Sequence, residues 1–136
     1  MIRRKHILAA AVFVACVSSA HAASPCDGVD RGLTVAQQSA WAPEVAKQLS
    51  VSNVDVLQSF RVDGWSIIYV DTHQSDEAFL FYARDPLASH YITLWSGAAA
   101  SNEEGAIKDW ALKNAPGIPL KLATCFAQHV TNDRNK

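Results

Sequence analysis

The sequence predicts an α+β fold: an N-terminal helix with a kink, a four-stranded antiparallel meander, and two C-terminal helices. Three observations carry this reading. Asp63-Gly64 stands between two runs of alternating apolar residues, the signature of a two-residue β-hairpin turn. Two further apolar runs, 78–83 and 90–95, come next at strand length. Outside this block, Thr34-Val35-Ala36-Gln37 and Ser101-Asn102-Glu103-Glu104 both read as capping boxes, in which a hydroxyl takes a free backbone N–H and a residue three positions on reaches back.

Taken in order, Arg3, Arg4 and Lys5 precede an apolar run over 7–17, and Ala20-His21-Ala22 forms a small-residue cleavage site, so residues 1–22 read as a secretory signal peptide. Residues 23–136 remain as one small domain. An alternative takes Cys16 as a lipid-acceptor cysteine that anchors the chain, although Phe13 stands where such signals carry Leu. No run approaches the roughly 20 apolar residues of a membrane-spanning helix.

Cleavage removes three of the twelve basic residues and none of the thirteen acidic ones, which leaves a net charge near −4. That balance argues against nucleic acid and anionic membrane surfaces and in favour of a basic partner. In an oxidising compartment Cys26 and Cys125 are expected to form one disulfide that ties the N-terminal arm to the last helix.

The first helix begins at Thr34. Trp41, Val45 and Leu49 recur on one face, and Pro43 is expected to kink or break the helix near Trp41, with its second half over 43–49. In the hairpin, the tight turn predicts Val62 opposite Trp65, Phe60 opposite Ile67, Gln58 opposite Tyr69 and Val56 opposite Asp71. One side of the sheet then carries Val54, Val56, Phe60, Val62, Trp65, Ile67 and Tyr69. The other carries Asp55, Leu57, Ser59 and Arg61 facing Thr72, Val70, Ile68 and Ser66. The third and fourth strands are apolar on both sides and need cover on both. Ser101 opens a helix with Ile107, Trp110 and Ala111 inward, ended by Pro116-Gly117. Pro119 suits the first position of the last helix, whose buried face is Leu122, Phe126 and Val130. Residues 131–136 read as a frayed tail.

The densest polar stretch is 71–77, where Asp71 and His73 share a side and Asp76 or Glu77 can complete a metal site. The simpler reading is a turn whose Ser, Asp and Gln side chains bond its own backbone. His129 falls at a helix C-terminus, where an imidazolium suits the dipole. No Gly-x-Ser-x-Gly elbow, phosphate-cradling loop or Cys-x-x-Cys occurs, so no enzyme class and no cofactor is implied. The four tryptophans lie on apolar faces and read as core; two exposed together would make a carbohydrate-stacking platform. A helix followed by an antiparallel meander resembles the cystatin-like α+β architecture in element order, from which the trailing helices and the long-range disulfide depart. Element order carries no function across.

These features predict a small exported, periplasmic, non-enzymatic protein that binds and neutralises another protein, such as a secreted antibacterial toxin or a wall-degrading enzyme. Asp71, His73, Asp76, Glu77, Asp85 and His90, on two polar turns, are the expected contacts. The alternatives are an envelope accessory role, and a metal-binding or hydrolytic role built on Asp71, His73 and Asp76.

Overall fold

In a computed structural model the chain is described over residues 12–19 and 23–134. The predicted signal peptide lies largely outside the described residues; within it, Cys16 is an exposed free thiol. The elements are α1 (Val35–Leu49), β1 (Asp55–Val62), β2 (Trp65–Asp71), β3 (Ala78–Tyr82), β4 (Thr93–Ser96), a 3-10 turn (Ser101–Glu103), α2 (Glu104–Asn114) and α3 (Leu120–Gln128), followed by a π-helical turn (His129–Asp133). The strands form an antiparallel sheet in the order β1-β2-β3-β4. This is the predicted α+β arrangement. Among the described residues no helix is long and apolar enough to cross a membrane.

The capping box at Thr34 forms as expected: Gln37 N–H donates to Thr34 Oγ1 at 3.1 Å, and Thr34 N–H donates to the Gln37 side chain at 2.8 Å. Pro43 does not split the helix, because α1 runs without interruption from Val35 to Leu49. Burial of Trp41, Val45 and Ala46 on the sheet holds both halves in one element.

The hairpin register holds from Val62–Trp65 to Gln58–Tyr69 and then slips. A β-bulge at Leu57 pairs Val56 with Val70, and Asp55 with Asp71. An extra residue in one strand reverses the facing of everything before it. Val54 and Val56 therefore leave the side predicted for them and join Ile68, Val70, Leu80 and Tyr82 beneath α1. The opposite face carries Phe60, Ile67, Tyr69, Phe79 and Phe81 and is covered by α2 and α3. The face expected to be mixed is thus a second apolar core. β3, with helices on both sides, is buried throughout. β4 is shorter than predicted, and its Leu94 stays 38% exposed.

The second capping box is displaced by one residue. Glu103 reaches back to the N–H of Ala100 at 2.6 Å, Ser101 makes no cap, and a 3-10 turn precedes α2. Pro119 stands just outside α3, its carbonyl accepting from Leu122 and Ala123. The disulfide Cys26–Cys125 is formed and joins the arm to α3. The arm is also sewn to β1 at Asp30, which pairs with Arg61 through both backbones and through a carboxylate–guanidinium contact of 2.8 Å. The expected frayed tail is structured up to Arg134, since the chain continues from α3 into the π turn.

Candidate functional site

Three places on the surface gather polar groups, and they lie at two ends of the sheet. The turn after β2 sits at one end. The hairpin tip Asp63-Gly64 and the segment joining β3 to β4 sit at the other. β2 spans seven residues, so the ends are roughly 20 Å apart. Asp71, His73, Asp76 and Glu77 therefore do not meet Asp85 and His90, and the six predicted contacts do not make one surface.

At the first end the bulge brings two carboxylates into register, Asp55 and Asp71. Like charges directly opposite on neighbouring strands repel. His73 lies between them, its Nε2 at 2.8 Å from Asp55 and its Nδ1 at 3.3 Å from Asp71. To reach both it takes a left-handed backbone, φ 59°, and its own N–H donates to Asp71 at 2.7 Å. Asp76 stays outside this group, and no described set of three His, Cys, Asp or Glu is arranged to hold a metal ion. Asp55 is the member that the regular register assigns to the wrong face. Thr72 supplies the turn chemistry, accepting from the N–H of Gln74 and meeting the Ser75 hydroxyl.

At the other end an open cleft of about 770 Å³ separates the first turns of α1 from the hairpin tip and the 85–87 turn. Its lining includes Trp41, Trp65, Arg61, Asp63, Asp85 and Leu87. Leu87 is 51% exposed at its edge, and Val35, at the start of α1 beside the lining residue Ala36, is 77% exposed. Asp85 shapes the turn: its carboxylate accepts the N–H of Leu87 at 2.9 Å and its carbonyl accepts the Ser89 hydroxyl at 2.8 Å. Arg61 is committed to Asp30, whereas Asp63 and Asp85 have no cationic partner among the described residues. The cleft thus combines an aromatic floor, apolar edges and two uncompensated carboxylates. Asp85 is one of the predicted contacts; Trp41 is buried in the core and Asp63 stands in the hairpin turn, both as the sequence reads, and what sequence does not show is that the cover stops beside Trp41 and leaves Trp65 only partly buried.

His90 lies outside the cleft, its Nδ1 against the Tyr91 carbonyl at 2.7 Å. Beside it, Gln48 of α1 accepts from the Tyr82 hydroxyl at 2.8 Å and from Tyr91 N–H, and donates to the Ser89 carbonyl. Burial, with Tyr91 and Glu44 nearby, raises the Tyr82 pKa, so the phenol stays a donor.

His129 departs from its predicted role. It is 2% exposed, its ring meets Phe60 edge-on at 4.9 Å, and its Nε2 has no hydrogen-bond partner among the described residues. Burial first, and then the charge of Arg31, lower its pKa to about 4. An uncharged ring gains nothing from a helix dipole, so desolvation outweighs the dipole here.

No protein-family model, no curated protein and no solved structure matches the chain.

Proposed function

We propose that the chain is an exported, periplasmic binding protein that captures a basic segment of a partner protein in the cleft between α1 and the hairpin tip, and so neutralises that partner. A secreted antibacterial toxin or a wall-degrading enzyme is a partner of this kind. The signal-like start and the net charge near −4 of residues 23–136 support export and a basic partner.

The observation that carries the reading is the make-up of the cleft. Aromatic side chains in a concavity, apolar edges and a polar rim are the usual anatomy of an energetic centre in a protein interface. Asp63 and Asp85 add two negative charges whose natural complement is a Lys or Arg of the partner. Charged rims chiefly speed encounter, so the association weakens with salt.

The experiment uses residues 23–136, immobilised and exposed to envelope extract, with elution by increasing salt. The expected result is a basic protein released by salt, retained by an Asp76→Lys variant and lost by Asp63→Lys combined with Asp85→Lys. Retention of the same protein by the double variant overturns the cleft as the site.

A further inference from the structure

At the end of the sheet away from the cleft, and on the face beneath α2 and α3, Gln58, Tyr69, Phe79 and Trp95 form one row across the four strands. Tyr69 stacks on Phe79 with centroids 4.2 Å apart, and Trp95 tilts toward Phe79 at 6.0 Å. Phe126 of α3 closes one side, edge-on to Phe79 at 5.2 Å and to Trp95 at 5.7 Å. The chain puts a cation of its own into the remaining opening. The guanidinium carbon of Arg134 lies 5.8 Å from the Tyr69 centroid, 6.0 Å from Phe79 and 5.8 Å from Trp95, and an Arg134 N–H donates to the Gly97 carbonyl.

The guanidinium lies beside the Tyr69–Phe79 stack and near Trp95, so that at most one ring of the stack, together with Trp95, can offer it an electron-rich face. The carbonyl of Gly97 adds direction, because a guanidinium can stack and donate in its plane at once. The path to the row is also unusual. The α3 helix widens into a π turn over His129–Asp133, and this wider turn sets the position of the next residue, Arg134. Such turns are rare and recur at functional sites. Polar contacts fasten the turn to the rest of the fold: Asn132 reaches Glu104 at 3.3 Å, and Gln128 bonds Asp133.

We infer that the Tyr69–Phe79–Trp95 row is a guanidinium-binding site whose resident is Arg134, and that an arginine side chain of a partner protein takes the site by displacing the Arg134 side chain, while His129 and Val130 stay buried. The inference does not depend on the cleft, which lies at the other end of the sheet. A resident ligand reduces the apparent affinity for an incoming one by the fraction of molecules in which the site is open.

The test uses residues 23–136 as wild type, Arg134→Gln and Arg134→Lys, with N-acetyl-arginine amide as the probe and N-acetyl-citrulline amide as its uncharged counterpart. The signals followed by NMR are the Trp95 indole N–H and the Gly97 amide. In Arg134→Gln the arginine probe is expected to shift both saturably and the citrulline probe neither. Wild type responds at the same residues with an apparent affinity about tenfold weaker, and Arg134→Lys falls between. Equal responses from wild type and Arg134→Gln, equal responses to the two probes, or no saturable shift in Arg134→Gln overturn the inference. Should Arg134→Gln fail to fold, wild type decides: an arginine-specific, saturable shift of Trp95 supports the site, and a Trp95 signal indifferent to arginine removes it.

Discussion

The two faces of the sheet are built from the same kinds of strand residue but closed in different ways. Beneath α2 and α3 the cover is two helices, a disulfide and a set of interlocked rings: Phe126 meets Phe79, Phe81 and Trp95 edge-on, and Phe60 and Phe79 meet His129. Beneath α1 the cover is one helix. A helix is about 10 Å across, whereas four strands at about 4.8 Å spacing span roughly 14 Å between the outer axes. The deficit is visible at both margins of α1, in the cleft at the hairpin tip and in the exposed Leu94 of β4. The amount of helix over a face thus decides where the sheet is sealed and where a cleft stays open. The polar rim Asp63, Asp85 and Arg61 lies where cover runs out.

The sealed face should be the costlier one to disturb. Phe126 is fully buried among the rings of Phe79, Phe81 and Trp95 on the strands, which leaves the site little room to collapse. Phe126→Ala is expected to lower stability by about 3–5 kcal/mol, the cost of the lost apolar area plus the cavity left behind. Urea denaturation of wild type and variant at neutral pH measures it. A loss below about 1 kcal/mol would mean that this face repacks freely, and the contrast between the faces would not hold.

The same sealing predicts a dependence on acid. The folded-state pKa of His129 is lowered from 6.5 to about 4, by burial first and by Arg31 second. Above 6.5 the ring is neutral in both states and its placement costs nothing extra. As pH falls from 6.5 toward 4 the unfolded chain binds the proton and the folded chain does not, so stability falls across that window and levels off below it. The loss is on the order of 2 kcal/mol after allowance for solvent screening. Denaturation midpoints at about pH 7, 5.5 and 4, which bracket the window, test this, with His129→Leu as the comparison. The variant should lack this component, and an unchanged acid slope would assign it to carboxylates instead.

The element order, the hairpin tip, the first cap and the disulfide are legible because each is a local signal with one physical cause: Asp-Gly at the tip, Thr34 with Gln37 at the cap, two cysteines beyond the apolar N-terminal run. The misreadings share a different cause. The bulge at Leu57 has no Gly or Pro to announce it, and it moves Val54, Val56 and Asp55 together, which hides the Asp55–His73–Asp71 group. The π turn has no local sequence signal, so Arg134 reads as tail. Pro43 looks like a break because propensity is local, whereas the buried face of α1 is held by the sheet. The cleft is illegible for the most general reason: apolar pattern marks Trp41 and Trp65 as inward-facing, and only the assembled layers show that cover ends beside them.

A milder perturbation probes the faces from the α1 side. Tyr82 is fully buried, but unlike the phenylalanines of the other face it carries a hydroxyl that the fold must satisfy. It does so through Gln48 at 2.8 Å, which also accepts from Tyr91 N–H at 3.2 Å and donates to the Ser89 carbonyl at 2.9 Å, so a single amide fastens α1 to the β3–β4 connection. Tyr82→Phe removes one donor and leaves Gln48 with its other partners, so the expected loss is about 1 kcal/mol, the net value of an ordinary hydrogen bond. Gln48→Met is the informative counterpart. It leaves the buried phenol and the Tyr91 N–H without their acceptor, and stranded polar groups cost more than deleted ones, about 1–3 kcal/mol each. Urea denaturation of the two variants in parallel decides the point. If Gln48→Met costs no more than Tyr82→Phe, water reaches these groups, and the cover provided by α1 ends even nearer the middle of the sheet than the cleft indicates.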